Sequence, residues 1–195
     1  VIEFYAKFPK YPVTTALWAT SASYALDPVK GKVAKNNVFS MELDIVESFG
    51  SETTYAANVH HTSTNEDMNY AVTSRHLSLD GGKYGTKKKF TYKEGSLADD
   101  YHYYSVRWTP YEMVFAFDGD PYFTYDLIND TDTSFASDPQ YFLAGVSYGS
   151  VGYGPTVIED DAPKETSLYV DFFRIYQSDA YDNVLWITPV GSKFY

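Results

Sequence analysis

Residues 112–126 read EMVFAFDGDPYFTYD, two runs of strand-forming residues separated by Asp118-Gly119. Asp-Gly suits a type I′ turn, in which both central residues take positive φ, so the stretch predicts a β-hairpin. Working outward, DYHYYSVRWTP at 100–110 alternates until Pro110 stops it. VIEFYAKF at 1–8 places Ile2, Phe4, Ala6 and Phe8 on one face and Glu3, Tyr5 and Lys7 on the other. TTALWATSA at 14–22 sets Trp18 and Thr20 against Leu17 and Ala19, and TYAANVHHTST at 54–64 carries Ala56, Asn58 and His60 on one side. YFLAGVSYG at 141–149 and SLYVDFFRIYQ at 167–177 complete the strand-like segments. The polar stretch DPVKGKVAKNN at 27–37 reads as a loop and LDGGKYGT at 79–86 as turn chemistry. Closely spaced strands with turns between them, and little helical periodicity, predict an all-β fold: an antiparallel β-sandwich.

A chain of 195 residues supports one sizeable core, so a single domain over 1–195 is expected. Aromatic residues make up 18%, with 20 Tyr and 13 Phe, which suits half-buried strands and also stacking on sugar-like ligands. A net charge of −11 repels a phosphate backbone, so neither nucleic acid nor an anionic membrane is an expected partner. A strongly anionic polysaccharide would need a local basic patch. The one lysine run, Lys87 to Lys89, reads as a solvated loop or strand edge. With no Cys, disulfides, thiolate metal sites and cysteine nucleophiles are excluded. No apolar run approaches the ~18 residues of a membrane span. Val1 opens directly into strand-like sequence, so the chain reads as either a mature domain or a trimmed piece, with no address written in it.

The chemistry concentrates in ELDIVE, residues 42–47, where three carboxylates lie among Leu, Ile and Val. On a regular strand Glu42 and Asp44 share a face and Glu47 points away. Either the triplet is accidental or the strand is irregular. One extra residue bulging near Ile45 and Val46 would shift the parity and return Glu47 to the face of Glu42 and Asp44, leaving Met41, Leu43 and Ile45 for the core. Three carboxylates crowded on one face must push at least one pKa upward. Glycosidic hydrolysis with retention uses such a pair, one carboxylate ionised and one kept protonated.

MELDIVESFG at 41–50 resembles the active-site strand of glycoside hydrolase family 16, in the form Glu-x-Asp-x-x-Glu that accommodates a bulge. YHYYSVRWTPYEMVFAFDGDPYF and LYVDFFRIYQ resemble later segments of the family, and VIEFYAKFP with TTALWATSA resembles segments ahead of the motif. The resemblance runs in family order from Val1 to about Gln177. It implies a concanavalin-like jelly roll of two curved antiparallel sheets with a glycan cleft across the concave one. It also implies Glu42 as nucleophile, Glu47 as general acid/base, and Asp44 as the residue that tunes the nucleophile. The longer motif is typical of laminarinase-like and agarase- or carrageenase-like members, so a retaining endo-glycanase acting on β-1,3-glucan is expected first and a β-galactan hydrolase second. A transglycosylase on the same residues and a non-catalytic lectin-like module are the rivals.

Around the triplet, Asn58 and His60 fall where the family presents polar or aromatic residues to the sugar. His60 is read either as a hydrogen-bond partner of a sugar hydroxyl or carboxylate, or as a half-exposed structural histidine. Trp18 is expected to stack on a sugar, Tyr148 and Tyr153 to line the cleft rim, and Trp108 to belong to the core. Where many family members have Arg this chain has Tyr5, which puts a polar contact beneath the cleft in question. The tail from 183 to 195 is read either as a permuted strand beside Val1 to Phe8 or as a C-terminal extension. His60, His61, His76 and His102 form no His-Glu-x-x-His pattern, and no metal ligand is assigned. No cofactor is expected to be required, although a structural calcium on the convex face is common in the family. The expected partner is a polysaccharide, the expected state a monomer, and the address implied by the resemblance is secreted or extracytoplasmic.

Overall fold

The computed structural model describes residues 1–11, 13–21, 40–62, 87–127, 140–147 and 163–177. Among them are ten strands in chain order: β1 (Ile2–Lys7), β2 (Thr14–Ser21), β3 (Ser40–Phe49), β4 (Thr54–Thr62), β5 (Lys87–Thr91), β6 (His102–Trp108), β7 (Glu112–Phe117), β8 (Asp120–Asp126), β9 (Gln140–Ser147) and β10 (Tyr169–Ile175). They form two five-stranded sheets, β10-β1-β6-β7-β8 and β5-β4-β3-β2-β9, and every pairing is antiparallel. No helix of the described residues is long and apolar enough to cross a membrane.

Alternation decides which side chains meet between the sheets. The first sheet contributes Ile2, Phe4, Ala6, Tyr104, Val106, Met113, Phe115 and Phe117, and the second Leu17, Ala19, Leu43, Ile45, Val46, Tyr55, Ala57 and Val59, all buried in one cluster. Trp108 is partly buried against it, as expected. Desolvation first of all raises the pKa values of the buried hydroxyls of Tyr55, Tyr104 and Tyr122, with Tyr122 adding to the rise at Tyr55 and Asp118 to that at Tyr104. They stay neutral and act as core residues with a polar tip.

The hairpin of β7 and β8 turns on Asp118 and Gly119 at φ of 49° and 89°, the two positive values that a type I′ turn needs. The turn is tied back to β6: the Asp118 carboxylate accepts the Tyr103 N–H at 2.7 Å and meets His102 Nδ1 at 2.7 Å. Pro121 is tolerated because β8 is an edge strand among the described residues.

Two expectations need correction. Tyr5 does not lie beneath the carboxylate-bearing sheet. Ile2, Phe4 and Ala6 take the core face of β1, so Tyr5 must face outward, where it contacts Tyr101, Tyr103 and Phe172. The seat beside Val1 to Phe8 proposed for the tail is also filled, because β1 is a central strand with β10 on one edge and β6 on the other. The tail itself lies outside the described residues.

The connection from β3 to β4 is held by one buried hydroxyl. Ser48 Oγ donates toward Ser51 O at 2.8 Å and Thr54 O at 2.9 Å, and accepts the Ser51 N–H at 3.3 Å. Gly50, at φ 79°, turns the chain there, and its N–H reaches Val13 O at 3.2 Å. Replacing Ser48 by Ala strands these backbone groups in a buried place. We expect a loss of about 1–3 kcal/mol, seen as a lower urea midpoint with an unchanged slope.

Candidate active site

Strand β3 is read from two sides by its neighbours. On β2, Thr20, Ala19 and Trp18 pair with Glu42, Leu43 and Asp44, but Leu17 and Ala16 then pair with Val46 and Glu47, so the register jumps by one residue. On β4, His60, Val59 and Asn58 pair with Glu42, Leu43 and Asp44, and Ala56 then pairs with Glu47. Both neighbours therefore record one extra residue between Asp44 and Glu47, at the place where the parity of the sequence demands it.

Burial agrees with the register. Leu43, Ile45, Val46 and Ser48 are almost wholly covered, so both residues of the bulge are taken into the protein. Glu42 and Glu47 are half-buried on the opposite face, with Asp44 between them at 3% exposure. A regular strand would have placed Glu47 where Val46 now packs. The bulge moves one apolar residue inward and one carboxylate outward in the same step.

Cross-strand pairing extends the site into rows. Glu42 lies between His60 and Thr20, Asp44 between Asn58 and Trp18, and Glu47 between Ala56 and Ala16. The next strand outward adds Leu143 beside Trp18 and Gly145 beside Ala16. Trp18 is half-buried and Asn58 buried, so the register brings five expected site residues together: Glu42, Asp44, Glu47, Trp18 and Asn58. His60 holds the backbone position opposite Glu42. Tyr148 and Tyr153 lie outside the described residues.

Sequence reading missed the small residues flanking Glu47. Ala16 and Ala56 have no chemistry of their own, and only the pairing shows that they flank that carboxylate on both sides. Of the two readings of Lys87 to Lys89, solvated loop or strand edge, the structure gives the second, and Phe90 was not counted toward the core because the three lysines in KKKFT mask the apolar alternation. Among the described residues no group of three or more His, Asp and Glu side chains could hold a metal ion.

The architecture is shared with solved structures. The laminarinase catalytic domain from Thermotoga maritima MSB8 superposes with a TM-score of 0.62 at 20% identity, over 91% of this chain and 63% of that one. Laminarinase from Flavobacterium sp. UMI-01 gives 0.61 at 23% identity, over 90% and 66%. The endo-β-1,3-glucanase from Pyrococcus furiosus gives 0.62 at 20% identity, over 89% and 59%. At such identities the likeness is one of fold, the jelly-roll sandwich, and this chain spans less than two thirds of each of these relatives. No curated protein sequence matches the chain. The model of glycosyl hydrolases family 16 matches residues 33–166, from ahead of β3 to just short of β10. With that match covering most of its length, the chain belongs to glycosyl hydrolases family 16.

Proposed function

We propose that the chain is the catalytic part of a retaining, endo-acting glycoside hydrolase that cuts a β-linked polysaccharide, with β-1,3-glucan as the first substrate to test. The register jump at Ile45 and Val46 carries this reading, because it sets Glu47 on the face of Glu42 and Asp44. Family membership supports the reaction class. The laminarinases and endo-β-1,3-glucanase of similar fold support the choice of polymer.

In this mechanism ionised Glu42 attacks the anomeric carbon while protonated Glu47 gives its proton to the departing glycosidic oxygen, leaving a glycosyl ester on Glu42. Glu47, now a base, takes a proton from water, which attacks the same carbon and frees Glu42 with the original configuration. Along the shared face the two glutamates are roughly 13 Å apart at the backbone. Retention asks for about 5–5.5 Å between the carboxyls, so both side chains lean inward over Asp44. Asp44, held in its row by Asn58 and Trp18, is the positioning residue between them. Trp18 offers an aromatic face to a sugar ring, and the small Ala16 and Ala56 flank Glu47. The reading includes no required cofactor, a monomer, and an address outside the cytoplasm.

Glu42→Gln is expected to lower turnover of laminarin by roughly 10³-fold or more, since no nucleophile remains. Wild-type rates for this variant across laminarin, mixed-linkage glucan, agarose and carrageenans would defeat the assignment. Glu47→Gln should lose about 10²–10⁴-fold on polymer. It should lose far less on an aryl glycoside whose leaving group departs without a proton, and its pH–rate profile should lack the alkaline limb.

The bulge itself can be tested by deletion. Removing Ile45 leaves Glu-Leu-Asp-Val-Glu, a regular alternation that keeps all three carboxylates on one face. That variant should retain turnover well above Glu47→Gln. Inactivity in a folded deletion variant would show that shared facing alone is insufficient.

A further inference from the structure

The chain has 15 basic and 26 acidic residues, yet it concentrates three lysines at Lys87 to Lys89. The fold makes this run β5, the edge strand of its sheet among the described residues. Phe90 turns into the core against Tyr55, Phe117 and Tyr122. Alternation then assigns Lys89 and Thr91 to the carboxylate face, where the Thr91 hydroxyl meets that of Thr54 at 3.4 Å.

Register continues the rows of the site outward. Lys89 pairs with Ala56, which pairs with Glu47, and Lys87 holds the position beside Asn58, which pairs with Asp44. Ala56 places only a methyl group between Lys89 and Glu47. Lys89 is exposed, and no carboxylate among the described residues pairs with it. Lysines on an edge strand also keep foreign strands from pairing, but that task requires no particular face. Here the register sets Lys89 on the face of the acids, two strands or about 10 Å from the backbone of β3.

We propose that Lys89 forms a subsite for an anionic group, a carboxylate or sulfate ester, carried by a sugar beyond the one under attack. The inference rests on reading this face as a glycan site. Three carboxylates at the centre repel an anionic polymer, and the net charge of the chain adds to that repulsion. A cationic edge offsets it locally. Lysine presents a point charge in place of a planar fork, so charge is selected over geometry and both kinds of anion fit.

The test is affinity electrophoresis, scored as mobility relative to polymer-free gels, through neutral, carboxymethylated and sulfated laminarin. The samples are the wild type, Lys89→Gln and Lys89→Arg. The wild type should bind at least one charged polymer about tenfold more tightly than the neutral one, the worth of a charge-assisted contact. Lys89→Gln should reduce that preference to about threefold or less, Lys89→Arg should keep it, and ~0.3 M salt should erode it. The arm that shows the preference identifies carboxylate or sulfate. Equal retention in neutral and charged gels, or a preference that survives Lys89→Gln, overturns the proposal. A charged-polymer preference in a protein that cleaves none of the three would count against the hydrolase reading and leave this one standing.

Discussion

The structure turns on a conflict between periodicity and chemistry in one strand. A β-strand alternates its faces without exception, so two glutamates five residues apart cannot share a face unless the strand gains a residue. Strand β3 gains it at Ile45 and Val46, and both go to the core. The rest of the second sheet is arranged around that irregularity. Strands β2 and β4 each shift register at the same level, and the Ser48 hydroxyl with the Gly50 turn fixes the strand just beyond it. A bulge ordinarily leaves a gap in a ladder; here its two residues pack among Leu43, Leu17 and Val59, so the irregularity adds to the core.

Much of this was legible in the sequence, for a definite reason. Facing is a local property with period two, and it could be read from Ile2, Phe4 and Ala6, from Leu17 against Trp18, and from Ala56 with Asn58. The Asp118-Gly119 turn was legible because few dipeptides tolerate two successive positive φ values. The bulge was legible because chemistry demanded a parity that the plain strand denied.

What escaped was long-range. No local pattern says which strands flank β1, so one of the two readings of the tail gives it a seat that β10 and β6 occupy. The same ignorance of sheet order placed Tyr5 under the wrong face. The value of Ala16, Ala56 and Lys89 likewise depends on register between strands distant in sequence. A residue's neighbours along the chain reveal its face, whereas its neighbours across the sheet reveal its task.

The centrality of β1 bears on how the molecule assembles. The Val1 ammonium donates to Tyr176 O at 2.7 Å, a contact spanning 175 positions, and β2 likewise waits for β9. The pairs β3–β4, β6–β7 and β7–β8 close short loops and can form early. Each sheet, however, also joins strands far apart in the chain, β1 to β10 and β2 to β9. Such a topology folds slowly, and a nascent chain on the ribosome would hold β1 unpartnered on one edge until β10 had emerged.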